Sequence, residues 1–177
     1  NATTYVALNH IAQNADRMNL KELTERYELF PAELQNSLLG QQIKTQIKKM
    51  QTLAPGQIAP DFTVQTPDGK SFNLHSIKAK AKIIDFWASW CAPCRALTPQ
   101  LVKLYNEFHE QGLEIIGISL DDKKEAWIKA IEEENIPWFQ GSKLDGFKPD
   151  NPLNNQIVVT TTDIKILREE ILKLFKQ

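Results

Sequence analysis

The sequence predicts an α/β domain, a sheet with helices packed on it, preceded by an α-helical extension. Three observations predict it. The apolar run Lys82–Trp87 is followed by a helical pattern and then by a second apolar run, Leu113–Ile118, which is the order of a βαβ unit. Upstream, Asp61–Val64 and Ser71–Leu74 alternate apolar and polar residues around Pro67-Asp68-Gly69-Lys70, the pattern of a β-hairpin. Ahead of Ala54-Pro55-Gly56 the apolar spacing is helical throughout, so the period changes at these helix breakers. The expected boundary separates a helical extension, residues 1–53, from an α/β domain, residues 54–177.

The N-terminal pattern resolves into three helical sets. Leu8, Ile11 and Ala15 form the first, and Leu20, Leu23, Tyr27 and Phe30 the second, opened by a capping pair Asn19/Glu22 and stopped by Pro31. Leu39, Ile43, Ile47 and Met50 form the third, around Gly40. These stripes read as core-facing surfaces. In the second segment, Leu97, Leu101, Leu104, Tyr105 and Phe108 line a helix that Gly112 ends. Asp121-Asp122 reads as the capped start of a helix over about Lys123–Glu134, and the Gly-, Pro- and Asn-rich stretch from Ile136 to Asn155 as a long irregular loop. Ile157–Thr160 and Ile164–Leu167 read as two strands, followed by a terminal helix carrying Ile171, Leu174 and Phe175.

Composition narrows the function. With 177 residues, 42% of them hydrophobic, the chain buries roughly two thirds of its unfolded surface. Its 21 basic and 22 acidic residues leave a formal net charge of -1, which gives no electrostatic reason for a nucleic-acid or membrane-surface partner. No apolar run is long enough to span a bilayer, and no secretory leader opens the chain. Because the sequence starts at Asn1, a processed or recombinant piece is expected, with any export signal already removed.

Only two cysteines occur, both in Phe86-Trp87-Ala88-Ser89-Trp90-Cys91-Ala92-Pro93-Cys94-Arg95. They cannot form a disulfide framework, so the pair is chemical rather than architectural. A Cys-x-x-Cys at a helix start puts the first sulfur beside free backbone amides at the positive end of the macrodipole. Cys91 is therefore expected to be the more acidic thiol and the nucleophile, and Cys94, one turn in, the resolving thiol. Pro93 fits the first turn, where its missing N–H costs nothing, and stiffens the loop. A zinc site would need about four ligands, but no second cysteine pair exists and His10, His75 and His109 have no ligand spacing. Haem attachment would need His where Arg95 stands. An inert buried pair is the remaining structural reading. No cofactor and no metal is expected.

Trp87-Ala88-Ser89-Trp90-Cys91-Ala92-Pro93-Cys94-Arg95, preceded by Asp85-Phe86 and followed by Pro99, resembles the active site of thioredoxin-like thiol-disulfide oxidoreductases. Gly56–Phe62 with Asp68-Gly69-Lys70 is similar to the TlpA/ResA type, extracytoplasmic thioredoxins that reduce disulfides, for instance during cytochrome c maturation. The resemblance covers about Pro55 to Gln177, and more weakly the helical segment before it. It implies a thioredoxin-like fold with a central mixed β-sheet flanked by helices, protein disulfide or thiol substrates, an upstream electron donor and an extracytoplasmic location. It also implies that Asp85 matches the buried carboxylate that exchanges the proton of the second cysteine; a simple ion pair with Lys82 is the other reading. Trp90 would shield and position the first thiol, Trp87 would be core, and Arg95 a solvated helix residue.

Two features depart from the family. Leu97 stands where many members carry Glu, and Asn154-Asn155-Gln156 stands where the family places a cis-proline facing the cysteines. The missing proline keeps a second class open, a thioredoxin-fold binding module with little turnover. A peroxiredoxin-type peroxidase would carry Thr or Ser three residues before its reactive cysteine, where Cys91 has Ala88.

Overall fold

The computed structural model describes residues 4–54, 56–146 and 164–175, and the chain divides into two compact units, Asn1–Pro60 and Asp61–Gln177. The first is built from α1 (Tyr5–Asn14), α2 (Leu20–Glu28), the short α3 (Ala32–Gln35) and α4 (Leu38–Thr52). Thr4, Asn19 and Ser37 cap α1, α2 and α4 by accepting from the amide three residues on. Leu8, Ile11, Leu23, Tyr27, Phe30, Ile43 and Ile47, the stripes visible in the sequence, meet in one core.

Gly40 lies inside α4 and decides how closely α3 approaches. A Cβ there would overlap the carbonyl oxygens of Leu34 and Gln35. Gly40→Ala is therefore expected to destabilise this unit by about 1–3 kcal/mol, despite the better helix propensity of alanine. Urea unfolding followed by circular dichroism measures it, and an unchanged midpoint would refute the close approach as the reason for glycine.

The second unit contains β1 (Thr63–Gln65), β2 (Ser71–Asn73), β3 (Ala81–Trp87), α5 (Ala92–Phe108), β4 (Leu113–Ser119), α6 (Lys124–Glu133), β5 (Phe139–Ser142) and α7 (Ile164–Phe175). The sheet is mixed, in the order β2-β1-β5-β4-β3, with β3, β4 and β5 parallel and β1 antiparallel to both β2 and β5. Every residue of β4 is buried. On one face Ile116 and Ile118 pack with Val64, Leu74 and Ile77; on the other, Leu113 and Ile115 pack with residues of α5, among them Leu101, Leu104 and Phe108. Burial on both faces explains why this strand reads as an unbroken apolar run.

Three expectations are corrected. The supposed loop after Ile136 contains β5, whose Phe139-Gln140-Gly141-Ser142 has little strand propensity and is set by its ladder with β4. Ile164–Leu167 is the start of α7 rather than a strand: Ile164, Leu167 and Ile171 recur at helical spacing, and Leu167 and Ile171 pack against the α5 side of the sheet. Finally, Asp121 does not cap α6, which starts after Lys123 without a side-chain cap. The predicted strand Ile157–Thr160 and the approach Asn154–Gln156 lie outside the described residues.

Candidate active site

Strand β3 ends at Trp87, the chain turns through Ala88, Ser89 and Trp90, and α5 starts at Ala92 with Cys91 as its N-cap residue. Cys91 and Cys94 are joined as a disulfide with Cα atoms 5.3 Å apart, within the range this linkage needs. No side chain caps α5, and Pro93 has no N–H, so the amides of the first turn are left for the sulfur of Cys91 when it is released as a thiolate. Cys94 faces inward and packs on the cluster of Trp87, Trp127 and Ala130. The two sulfurs thus differ in surroundings: one at a helix end, the other against apolar rings.

Asp85 lies two residues before Trp87 and so shares its face of β3, the face that α5 covers. Burial pushes its carboxyl up to about 6. The alternative ion pair with Lys82 is not formed. Lys82 points to the opposite face, and its Nζ donates to the carbonyl of Leu74 at 3.0 Å. Leu97, where the family often has Glu, packs in an apolar cluster with Leu101 and Ile115.

Asp121 proves to be part of the site's framework. Its side chain is 1% exposed and accepts from the amide of Ser89 at 3.0 Å, from Ser89 Oγ at 2.6 Å and from Ser119 Oγ at 2.7 Å. Ser142 Oγ donates in turn to the carbonyl of Ser119 at 3.0 Å. The ends of β4 and β5 thereby fix the turn that presents Cys91. Nothing in the local sequence announced this role, because an acidic pair before a helix fits a cap equally well; the clue was Ser89, a hydroxyl between two tryptophans. Asp121→Ala is expected to lower stability by about 2–4 kcal/mol, since it strands three donors, two of them on Ser89. Urea unfolding reads the loss, and a change below about 1 kcal/mol would contradict the network.

Three further side chains are placed differently from expectation or more fully. Arg95 is not simply solvated: its Nε donates to Glu134 at 2.7 Å and its Nη2 to Glu133 at 2.8 Å, which ties the start of α5 to the end of α6. Trp90 is 61% exposed beside the disulfide and presents an apolar surface to solvent. Trp87 is buried, and its Nε1 donates to Gln140 Oε1 at 2.9 Å. Among the described residues no group of three His, Cys, Asp or Glu side chains could hold a metal ion, and no helix is long and apolar enough to cross a membrane.

A mixed sheet with a Cys-x-x-Cys pair at the amino end of the helix that follows β3 defines a thioredoxin-like protein. The chain matches the AhpC/TSA family over residues 55–144 and belongs to that family. The thiol-disulfide oxidoreductase ResA of Bacillus thuringiensis (strain Al Hakam) is 37% identical over 108 residues, which cover 59% of this chain and 62% of that protein. A thiol-disulfide oxidoreductase from Bacteroides fragilis NCTC 9343 superposes with a TM-score of 0.50 at 27% identity, covering 56% of this chain and 75% of that one. The C-terminal domain of a putative thiol-disulfide oxidoreductase from Bacteroides thetaiotaomicron shares the fold, with a TM-score of 0.60 at 20% identity over 71% of this chain and 98% of that one. The chain spans less than two thirds of the length of the curated relatives it matches.

Proposed function

We propose that this chain is a ResA-type thiol-disulfide oxidoreductase that reduces protein disulfides through Cys91 and Cys94. The observation that carries this reading is the disulfide pair with unequal surroundings, Cys91 at an uncapped helix start and Cys94 packed inward on the side of Asp85. In the reduced protein the Cys91 thiolate attacks a substrate disulfide, forming a mixed disulfide and releasing one substrate sulfur as thiolate. Asp85, as carboxylate, takes the proton of Cys94, whose sulfur attacks Cys91 Sγ and releases the second substrate thiolate. Two electrons have passed to the substrate, and the Cys91–Cys94 disulfide remains. An upstream dithiol donor must then re-reduce it.

Pro93 stiffens the loop between the sulfurs, and Trp90 offers an apolar platform beside them for an extended polypeptide. On this reading residues 54–177 form the redox domain and residues 1–53 an extension to it. An extracytoplasmic setting, which the resemblance to the ResA type implies, is the one in which this reaction would operate. A peroxidase reading is disfavoured because Ala88 supplies no hydroxyl three residues before Cys91.

Reduction of insulin by dithiothreitol, followed by turbidity, tests the proposal. Wild-type protein is expected to accelerate precipitation and Cys91→Ser to leave it at the uncatalysed rate. Equal rates for the two proteins would overturn it.

A further inference from the structure

A buried polar side chain shares both the sheet face and the cross-strand row of Asp85. In the ladders of β3, β4 and β5, Asp85 is in register with Gly117, and Gly117 with Gln140, so the three residues form one row across the parallel strands. Gln140 is 5% exposed. Its side chain leans across β4 rather than away from it: a Cβ on Gly117 would overlap the Gln140 amide, and Gln140 Oε1 reaches the indole N–H of Trp87 on β3. The glycine is what lets the amide lie over the middle strand.

The orientation of that amide follows from chemistry. An indole N–H only donates, so the oxygen must face Trp87 and the NH2 group must lie at the other end. Among the described residues Gln140 Nε2 is buried and has no hydrogen-bond partner, a state that costs about 1–3 kcal/mol if it persists. Asp85 stands in the same row and likewise has no side-chain partner among the described residues. Among the described residues the rest of its surroundings carries no free charge. On this face β4 offers Gly117, α5 offers Cys94, Leu97 and Leu101, α6 offers Trp127 and Ala130, and α7 offers Leu167 and Ile171. Arg95 is held by Glu133 and Glu134, Arg168 by Glu107, and Lys82 projects from the other face.

We infer that Gln140 is the positioning residue for Asp85: its Nε2 donates to the ionised carboxylate, directly or through one water over Gly117, while its Oε1 is anchored by Trp87. A neutral amide in this place favours the carboxylate over the acid without fixing it as a permanent ion pair. That is what a group needs if it must both take up and return a proton. The consequence for turnover rests on the proposed role of Asp85; the contact itself does not.

The test reads Asp85 directly, in the oxidised protein, and needs no turnover. Aspartate carboxyl carbons labelled with carbon-13 are titrated by NMR, and the Asp85 signal is identified by its absence in Asp85→Asn. Gln140→Leu is expected to raise the proton affinity of Asp85 about tenfold, because the carboxylate loses a donor in a buried place. Gly117→Ala, which pushes the amide off the middle strand without altering it chemically, is expected to move the midpoint in the same direction. Trp87→Phe removes the anchor but not the donor, and is expected to leave the midpoint within about twofold of wild type in proton affinity. Gln140→Met serves if Gln140→Leu does not fold. An unmoved midpoint in the Gln140 and Gly117 variants would overturn the inference, as would an equal shift in Trp87→Phe. Loss of insulin reduction in the wild-type protein would instead count against the oxidoreductase reading and leave this result standing.

Discussion

Cys94→Ser is expected to stop multiple turnover and to accumulate a mixed disulfide between Cys91 and the substrate. Cys91 sits at a helix start whose amides no side chain caps; on the proposed mechanism its thiolate is the stabilised one, and nothing in its attack requires the second sulfur. Resolution does require it. With Cys94 held one turn away by α5, the resolving thiol acts intramolecularly; an external thiol at millimolar concentration has no such advantage, and release slows on the order of 10³-fold or more. Intact-mass spectrometry after mixing Cys94→Ser with a disulfide-bonded peptide reads the adduct, and Cys91→Ser should form none. A comparable adduct on Cys94 in the Cys91→Ser protein would reverse the assignment of the two sulfurs.

The asymmetry behind that expectation comes from the sheet as much as from the motif. The turn carrying Cys91 is bolted to the ends of β4 and β5 through Ser89, Asp121, Ser119 and Ser142. The start of α5 is tied sideways to α6 through Arg95. Cys94 is then directed inward onto Trp87 and Trp127, and Trp87 is itself held by Gln140 from β5. The residues that orient the chemistry are therefore spread over β3, β4, α6 and β5, although both sulfurs belong to one turn.

That distribution explains what could be read from the sequence. The motif, the hairpin, the strand of β4 and the helical stripes of the first unit depend on spacing within about a dozen residues, and periodicity exposes them. Asp121 and Gln140 act over 32 and 53 positions of sequence separation, and a single chain offers no local sign of such partnerships. β5 is not legible in the sequence because its polar and glycine residues are strand only by virtue of the ladder with β4. Ile164–Leu167 reads as a strand for a different reason: four residues fit a strand as well as a helical turn, and only the continuation through Ile171 selects the helix.

Asp85→Asn is expected to make the protein more stable and a poorer catalyst at once. Burial raises the Asp85 carboxyl from its usual range to about 6 in the folded chain. The native state therefore binds more protons than the unfolded state between about pH 4 and pH 6. The sign follows: this residue's contribution is most favourable below pH 4 and is lost as pH rises through 6. Two powers of ten in proton affinity, at 1.36 kcal/mol each, amount to about 3 kcal/mol by pH 7. An asparagine cannot ionise and escapes that loss. Urea unfolding of the oxidised proteins should show Asp85→Asn more stable than wild type at pH 7, by up to about 3 kcal/mol, and close to it at pH 4. On the proposed mechanism the same substitution removes the base for Cys94, so resolution at pH 7 should slow by about 10²-fold and recover towards pH 8.5, where the thiol ionises unaided. A variant less stable than wild type at pH 7 would mean that the carboxylate is held by a partner strong enough to outweigh burial. A variant with unchanged resolution would take the proton away from Asp85 altogether.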